Sequence, residues 1–256
     1  MEADDWTAVR VSGTDRSAPL VIACEHAARH IPAELTALGL DEVALNSHAA
    51  WDIGAAHVAR CLGTLLDAPV VESAISRLVY DCNRPPSAPD AIPERSEIFD
   101  IPGNLSLHDA ARMDRFTRVH EPFHAALAET CSQQEERAGR PIALVTVHSF
   151  TPVYLGAPRN VEIGFLHDTD PELAEAALAA EQARGTWRTE LNAPYSAADG
   201  VTHTLARHAA RRPAVMIEIR NDLIADDDAG YRMAQHLANT LRTALSKLDA
   251  ARGAAE

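Results

Sequence analysis

The sequence predicts a single α/β domain: a mixed, mostly parallel sheet flanked by helices on both faces. Three observations predict it. Short apolar runs rich in β-branched residues alternate with helical patterns, the order that builds parallel sheets. The 256 residues are 46% apolar with no second composition regime, enough for one large core. Three of the runs end in residues that bind metal or move protons. Val21-Ile-Ala-Cys24 runs into Glu25-His26, the run from Pro141 to Val147 into His148, and Ala214-Val-Met-Ile217 into Glu218. In open α/β sheets, ligands bind beyond the carboxyl ends of the strands.

In chain order, strand-like runs fall near 19–24, 69–72, 77–81, 141–147, 161–166 and 214–219. Helical patterns fall near 33–39, 51–66, 108–138, 171–184, 200–210 and 228–251. The 51–66 pattern carries Ile53, Ala56, Val58, Leu62 and Leu65 on a broad apolar stripe, with Asp52 near its start. The last pattern places Met233, Leu237, Leu241 and Leu245 at four-residue steps, as a helix packed on the sheet would. Residues 83–107 break the alternation with Pro85, Pro86, Pro89, Pro93 and Pro102, then Gly103-Asn104. Their apolar and charged content, from Ile92 to Phe99, predicts an ordered loop covering a site.

A net charge of −14 argues against nucleic acid or an anionic membrane as partner, since both need a basic face. The chain opens on Met-Glu-Ala-Asp-Asp and has no run of eighteen apolar residues, so a soluble, cytoplasmic protein is expected. Cys24, Cys61, Cys82 and Cys131 show no C-x-x-C spacing, neither a disulfide framework nor a cysteine zinc site. Lys247 is the one lysine, which excludes P-loop, Schiff-base and Ser-Lys mechanisms. G-x-S-x-G and a strand-linked G-x-G-x-x-G are absent as well.

The strand-end His, His and Glu describe a site of metal-assisted hydrolysis, which needs about three His or carboxylate ligands, an open position for water and a nearby base. His26 and His148 are the natural imidazoles, each following an apolar strand. Asp52 is the choice for third ligand, with His48 and Glu25 as rivals, although Asp52 would also serve as a plain helix N-terminal charge. Glu218 would be the general base. His30, His57, His108, His167, His203 and His208 fall on helices or loops and stay outside the site. In Ser76-Arg77-Leu-Val-Tyr80-Asp81-Cys-Asn83-Arg84, guanidinium forks suit a substrate carboxylate, with Asp81 tying the loop to one Arg. Arg220 and Asp222 would form a similar pair beside the base.

Together these blocks resemble the N-formylglutamate amidohydrolase family. The resemblance runs from Glu25-His26-Ala27 and His48-Ala-Ala-Trp51-Asp52-Ile-Gly54 through Arg77 to Arg84-Pro85 and Ile92-Pro-Glu94-Arg95-Ser96-Glu97. It continues with Ile101-Pro-Gly-Asn104, His148-Ser-Phe-Thr-Pro152, Asn192-Ala-Pro-Tyr195 and Ile217-Glu218-Ile-Arg220-Asn-Asp222, covering about 18–245 of a domain expected to span 1–256. It implies a zinc exopeptidase-like or amidase-like fold, with Zn2+ held by His26, Asp52 and His148 and catalysis by Glu218. Arg77, Asn83, Arg84 and Arg220 would bind substrate. His148-Ser-Phe is similar to the zinc-histidine segment of carboxypeptidases, and Asn83-Arg84 to their carboxylate-binding pair. The H-x-x-E ligand pair of those enzymes is missing, because Arg29 stands third after His26. Related cell-wall amidases draw their second ligand from an acid at the next helix start, which favours Asp52 over His48. The implied reaction is hydrolysis of an N-acyl amino acid, with N-formyl-L-glutamate going to formate and glutamate. Hydrolysis of another carboxylate-bearing amide, or a metal-free anion-binding relative, are the alternatives.

Overall fold

The computed structural model describes residues 5–253, so the first four residues of the acidic opening lie outside it. Its strands are β1 (Val9–Ser12), β2 (Leu20–Cys24), β3 (Val70–Ser73), β4 (Arg95–Ser96), β5 (Phe99–Asp100), β6 (Ala143–Phe150), β7 (Val153–Tyr154), β8 (Ala157–Pro158), β9 (Ile163–Leu166), β10 (Thr189–Leu191) and β11 (Ala214–Arg220). Its α-helices are α1 (Glu42–Leu45), α2 (Ala55–Leu66), α3 (Asp109–Arg115), α4 (Glu121–Ala138), α5 (Glu172–Arg184), α6 (His203–His208) and α7 (Asp227–Gly253). One seven-stranded sheet runs β1-β3-β2-β6-β11-β9-β10, with β4-β5 and β7-β8 as separate hairpins. The central strands β3, β2, β6 and β11 are parallel; β1 and β9 meet them antiparallel. The expected mixed, mostly parallel sheet is the one found.

Central strands buried on both faces read as continuous apolar runs, and β2 and β6 are buried at every position. Side-chain alternation then sorts them. Ile22, Val145, Val147, Val215 and Ile217 belong to a core completed by Leu62 of α2, Ala177 of α5 and Leu237 of α7. Val21, Leu144 and Met216 belong to the opposite core, with Phe123 and Leu127 of α4 and Leu205 of α6. His148 and Glu218 share the parity of Leu144 and Met216, so period two carries both to the α4 and α6 side. They are also cross-strand partners in the β6–β11 ladder.

Several elements depart from expectation. The 77–81 run is a chain of turns, not a strand, with Val79 N donating to Ser76 O. Leu78, Val79 and Tyr80 are buried there, but by the second core rather than by a ladder. The helix expected from 51 begins at Ala55, because Gly54 turns the chain at φ +83°. The 108–138 pattern is α3 and α4 joined by a π-helical turn, Phe116–His120. The 33–39 pattern is a 3-10 turn in which Thr36, Ala37 and Leu38 take positive φ. The 200–210 pattern condenses to the six residues of α6. Strand β1 escaped the apolar signal because its outer three residues are exposed.

Candidate active site

The site forms where β2, β6 and β11 end. His26 lies just past β2, and Asp52 is tied to it through the backbone, its N–H donating to His26 O at 3.0 Å. Gly54 permits that turn: a Cβ there would stand 2.5 Å from Ile224 O. Asp52 therefore does not cap α2, which has no side-chain cap, but points into the site. Gly164 lies beside Glu218 in the ladder, and a Cβ on it would meet Ala193 O at 1.8 Å. Only glycine lets the 192–195 segment close in and bring Tyr195 to the cavity.

Two imidazoles converge on one carboxylate. Asp52 Oδ2 lies 3.4 Å from His26 Nδ1 and 2.9 Å from His148 Nδ1, and accepts from Ser149 N at 3.2 Å. The far nitrogens meet other buried carboxylates: His26 Nε2 is 2.7 Å from Asp81 Oδ1, and His148 Nε2 is 3.1 Å from Glu25 Oε2. A carboxylate behind an imidazole takes the ring N–H and leaves the other nitrogen's lone pair facing forward, as in metal-binding histidines. Arg77 clamps the arrangement, with Nη1 3.3 Å from Asp52 Oδ1 and Nη2 3.0 Å from Asp81 Oδ2. The turn at 77–81 makes the Arg77–Asp81 contact possible, since it needs i,i+4 spacing that a strand lacks.

This donor set fits a divalent cation. The ligand atoms of His26, Asp52 and His148 lie within 4.8 Å of one another, and all three residues are buried. Three acceptors facing one point repel unless a positive charge sits among them. The electrostatics show that demand. Burial opposes charge on His148, yet Glu25 and Asp52 push its pKa well above the usual value. Burial would raise Asp52, but His26 and His148 hold it well below the carboxylate range. Asp81 is held low in the same way, by His26 and Arg77 against its burial. Glu218 goes the other way: burial raises it to about 7, against the pull of His148 and with smaller help from Asp52.

These groups line a cavity of about 240 Å³. That is below the roughly 300–1,000 Å³ of drug-sized pockets and suits an amino-acid-sized solute. His48 is on the wall rather than in the trio, its Nδ1 3.7 Å from Asp52 Oδ1, and burial lowers its pKa to about 4. Glu25 stands behind His148. Of the arginines expected to bind substrate, Arg77 and Arg84 reach the cavity. Arg84 gives Nε to Asp90 at 2.7 Å and Nη1 to Gly200 O, which leaves Nη2 without a protein partner among the described residues. Asn83 lines the cavity, but its amide is spent on Val201 O and on Thr204 N–H. Arg220 departs from the expectation of a substrate contact. It is held by Asp222 at 2.8 Å and Glu162 at 3.5 Å and does not line the cavity. It shares the parity of Glu218 but stands two residues beyond it, at the last position of β11.

The 83–107 loop is ordered and supplies Pro93, Arg95, Ser96 and Glu97 to the wall, as its composition suggested. It is pinned by Asn104, whose amide donates to Leu78 O and Pro93 O. Tyr154 and Tyr195, also on the wall, carried no individual sequence role. Burial lifts Tyr195 to about 12, so it remains a neutral donor. Arg159 stacks on both rings, 4.6 and 4.9 Å from their centroids. Burial likewise pushes Cys24 and Cys82 up, so neither offers a thiolate.

An α/β sheet with titratable groups gathered at its carboxyl edge around a small cavity defines an enzyme of small-molecule acid–base chemistry. The family model for N-formylglutamate amidohydrolase matches residues 18–225. The chain belongs to that family and so to the hydrolases of amide bonds. No curated protein sequence matches it. Among solved structures, gene product Atu2144 from Agrobacterium tumefaciens is 46% identical, with a TM-score of 0.91 over 94% of this chain and 96% of that one. N-formylglutamate amidohydrolase from Ralstonia eutropha JMP134 is 18% identical, with a TM-score of 0.64 over 93% and 97%, and shares the fold. Among the described residues, no helix is long and apolar enough to cross a membrane.

Proposed function

We propose that this chain hydrolyses the amide bond of a small N-acyl amino acid with the help of a bound zinc ion, N-formyl-L-glutamate being the leading substrate. The observation that carries the metal is the paired geometry of His26 and His148, each with a carboxylate behind it and Asp52 in front. His26, Asp52 and His148 would hold the ion. When bound, it supplies Lewis-acid polarisation of the substrate carbonyl and makes water acidic enough to attack near neutrality.

The rest falls to the chain's own residues. Glu218, raised to about 7 by burial, is poised to take the proton of the attacking water and return it to the leaving amine nitrogen. Arg77 fixes Asp52 and Asp81 in place. Arg84 presents Nη2 to a substrate carboxylate, and Tyr195 offers its hydroxyl to charge growing on the amide oxygen. The 83–107 loop narrows the entrance and limits access of bulk water. A tight cavity favours a small acyl group such as formyl.

The test pairs metal content with formate release from N-formyl-L-glutamate, before and after chelation. Stoichiometric zinc with chelator-sensitive formate release is the expected result. Zinc without formate release would move the substrate to another N-acyl amino acid. Formate release unaffected by complete removal of metal would overturn the metal role.

A further inference from the structure

A second group of histidines lies behind the Asp81–Asn83 segment. His120 closes the π-helical turn, His124 follows one turn later in α4, and His203 and His208 open and close α6. His120 Nε2 is 3.4 Å from His203 Nε2, and His124 Nδ1 is 2.8 Å from His208 Nε2. Among the described residues none of the four forms an ion pair with a carboxylate. As a hydrogen bond, the 3.4 Å contact is poor. As an edge between two ligands of a tetrahedral ion it is right, since nitrogens about 2.0–2.1 Å from zinc stand roughly 3.3 Å apart.

Three further observations point the same way. His124 Nε2 lies 2.9 Å from Cys82 O, and a carbonyl can only accept, so that nitrogen carries the proton and Nδ1 keeps its lone pair. Backbone carbonyls orient metal-binding imidazoles in this manner. The π-helical turn itself is an uncommon device that concentrates at functional sites, and here it sets the position of His120. Burial also keeps the four rings neutral, with His120 and His208 lowered to about 4 and His124 to about 2, which is the form that binds metal.

We propose that His120, His124 and His203 form a second divalent-metal site of the imidazole-preferring zinc type, structural in role; His208 Nε2, 2.8 Å from His124 Nδ1, is at hydrogen-bond distance and lies outside the ligand set. One ligand atom from each of the first three lies within 4.8 Å of the others. Half-exposed His203 gives the ion a way in. An ion there ties α6 to the start of α4. That fixes the cavity wall, because Asn83 is bonded to Val201 O and Thr204 N–H at the head of α6. Neutral nitrogen donors suit zinc, nickel or copper and not magnesium or calcium.

This proposal stands apart from the catalytic reading, and metal counting separates them. The protein is stripped with chelator and titrated with Co2+, following tetrahedral cobalt absorption and the number of equivalents bound. Wild type should take two equivalents, His148→Ala one, and the His120→Asn, His203→Asn double variant one. The ion left in His148→Ala should raise its melting temperature. If wild type binds a single equivalent and that one survives His148→Ala, the second site stands and the catalytic ion falls. A folded His148→Ala chain that binds no cobalt overturns the second site, as do two equivalents kept by the double variant. The wild-type and His148→Ala counts decide the matter even if the double variant fails to fold.

Discussion

The two histidine clusters sit on either side of one short segment and respond to burial in opposite ways. In the cavity, Glu25 and Asp52 push His148 up in spite of its burial. Behind it, burial among other imidazoles pushes His124 down to about 2. The side chain is the same and both rings are buried; the difference is the carboxylates. Desolvation alone makes imidazole neutral, and only adjacent negative charge reverses that. A carboxylate-rich cluster holds strong charge differences within a few ångströms, which is what acid–base chemistry needs. A carboxylate-free cluster holds neutral donors at fixed spacing, which is what a structural ion needs.

Changes that erase the carboxylates of the first cluster should be the most damaging. Glu218→Gln removes the proton carrier while keeping shape and volume, so bound metal should persist and kcat should fall about a hundredfold or more. Steady-state rates alongside metal analysis check this. Loss of the ion would make Glu218 a ligand instead. Asp81→Asn is expected to do less. It leaves a partner for His26 Nε2 but removes the charge behind it, so affinity at the cavity site should fall roughly 10–100-fold. The second cluster should keep its ion in the same titration. Equal weakening at both would mean the Asp81–Asn83 segment couples them mechanically.

Much of the cavity was legible because strand ends are legible. An apolar run that stops at His26, His148 or Glu218 announces its own direction, and period two then puts His148 and Glu218 on one face. Asp52 was the choice among rivals, and the resemblance raised it above His48, since a carboxylate near a helix start has a plainer explanation. Arg220 misled because sharing a face with the base does not suffice: at the last residue of β11 it is held by Asp222 and Glu162 away from the cavity. Arg77-to-Asp81 misled because burial, not pairing, made those residues apolar. Tyr195 depends on Gly164 allowing a close backbone approach, which no local pattern encodes. His120-x-x-x-His124 did carry a signal, an i,i+4 pair on one helix face, but His203 and His208 come from α6, far away in sequence.

The rule drawn from the two clusters should also hold far from both. Between α5 and α7, buried Glu181 faces His236 Nε2 at 2.6 Å and accepts a short hydrogen bond from Thr240. Burial would raise Glu181, but His236 and Thr240 lower it below its ordinary value near 4.5. A carboxyl group lowered in the folded state adds stability above its unfolded pKa and loses it as pH falls through the folded one. Glu181→Gln should therefore cost about 2 kcal/mol at pH 7, the scale of hydrogen bonds to a charged group. The cost should shrink below pH about 4, where wild type loses the same charge. Denaturant melts of both proteins at pH 7 and at low pH measure it. A cost that does not change with pH would mean the pair is held by packing, and that the carboxylate matters only where a cavity and a cation are present.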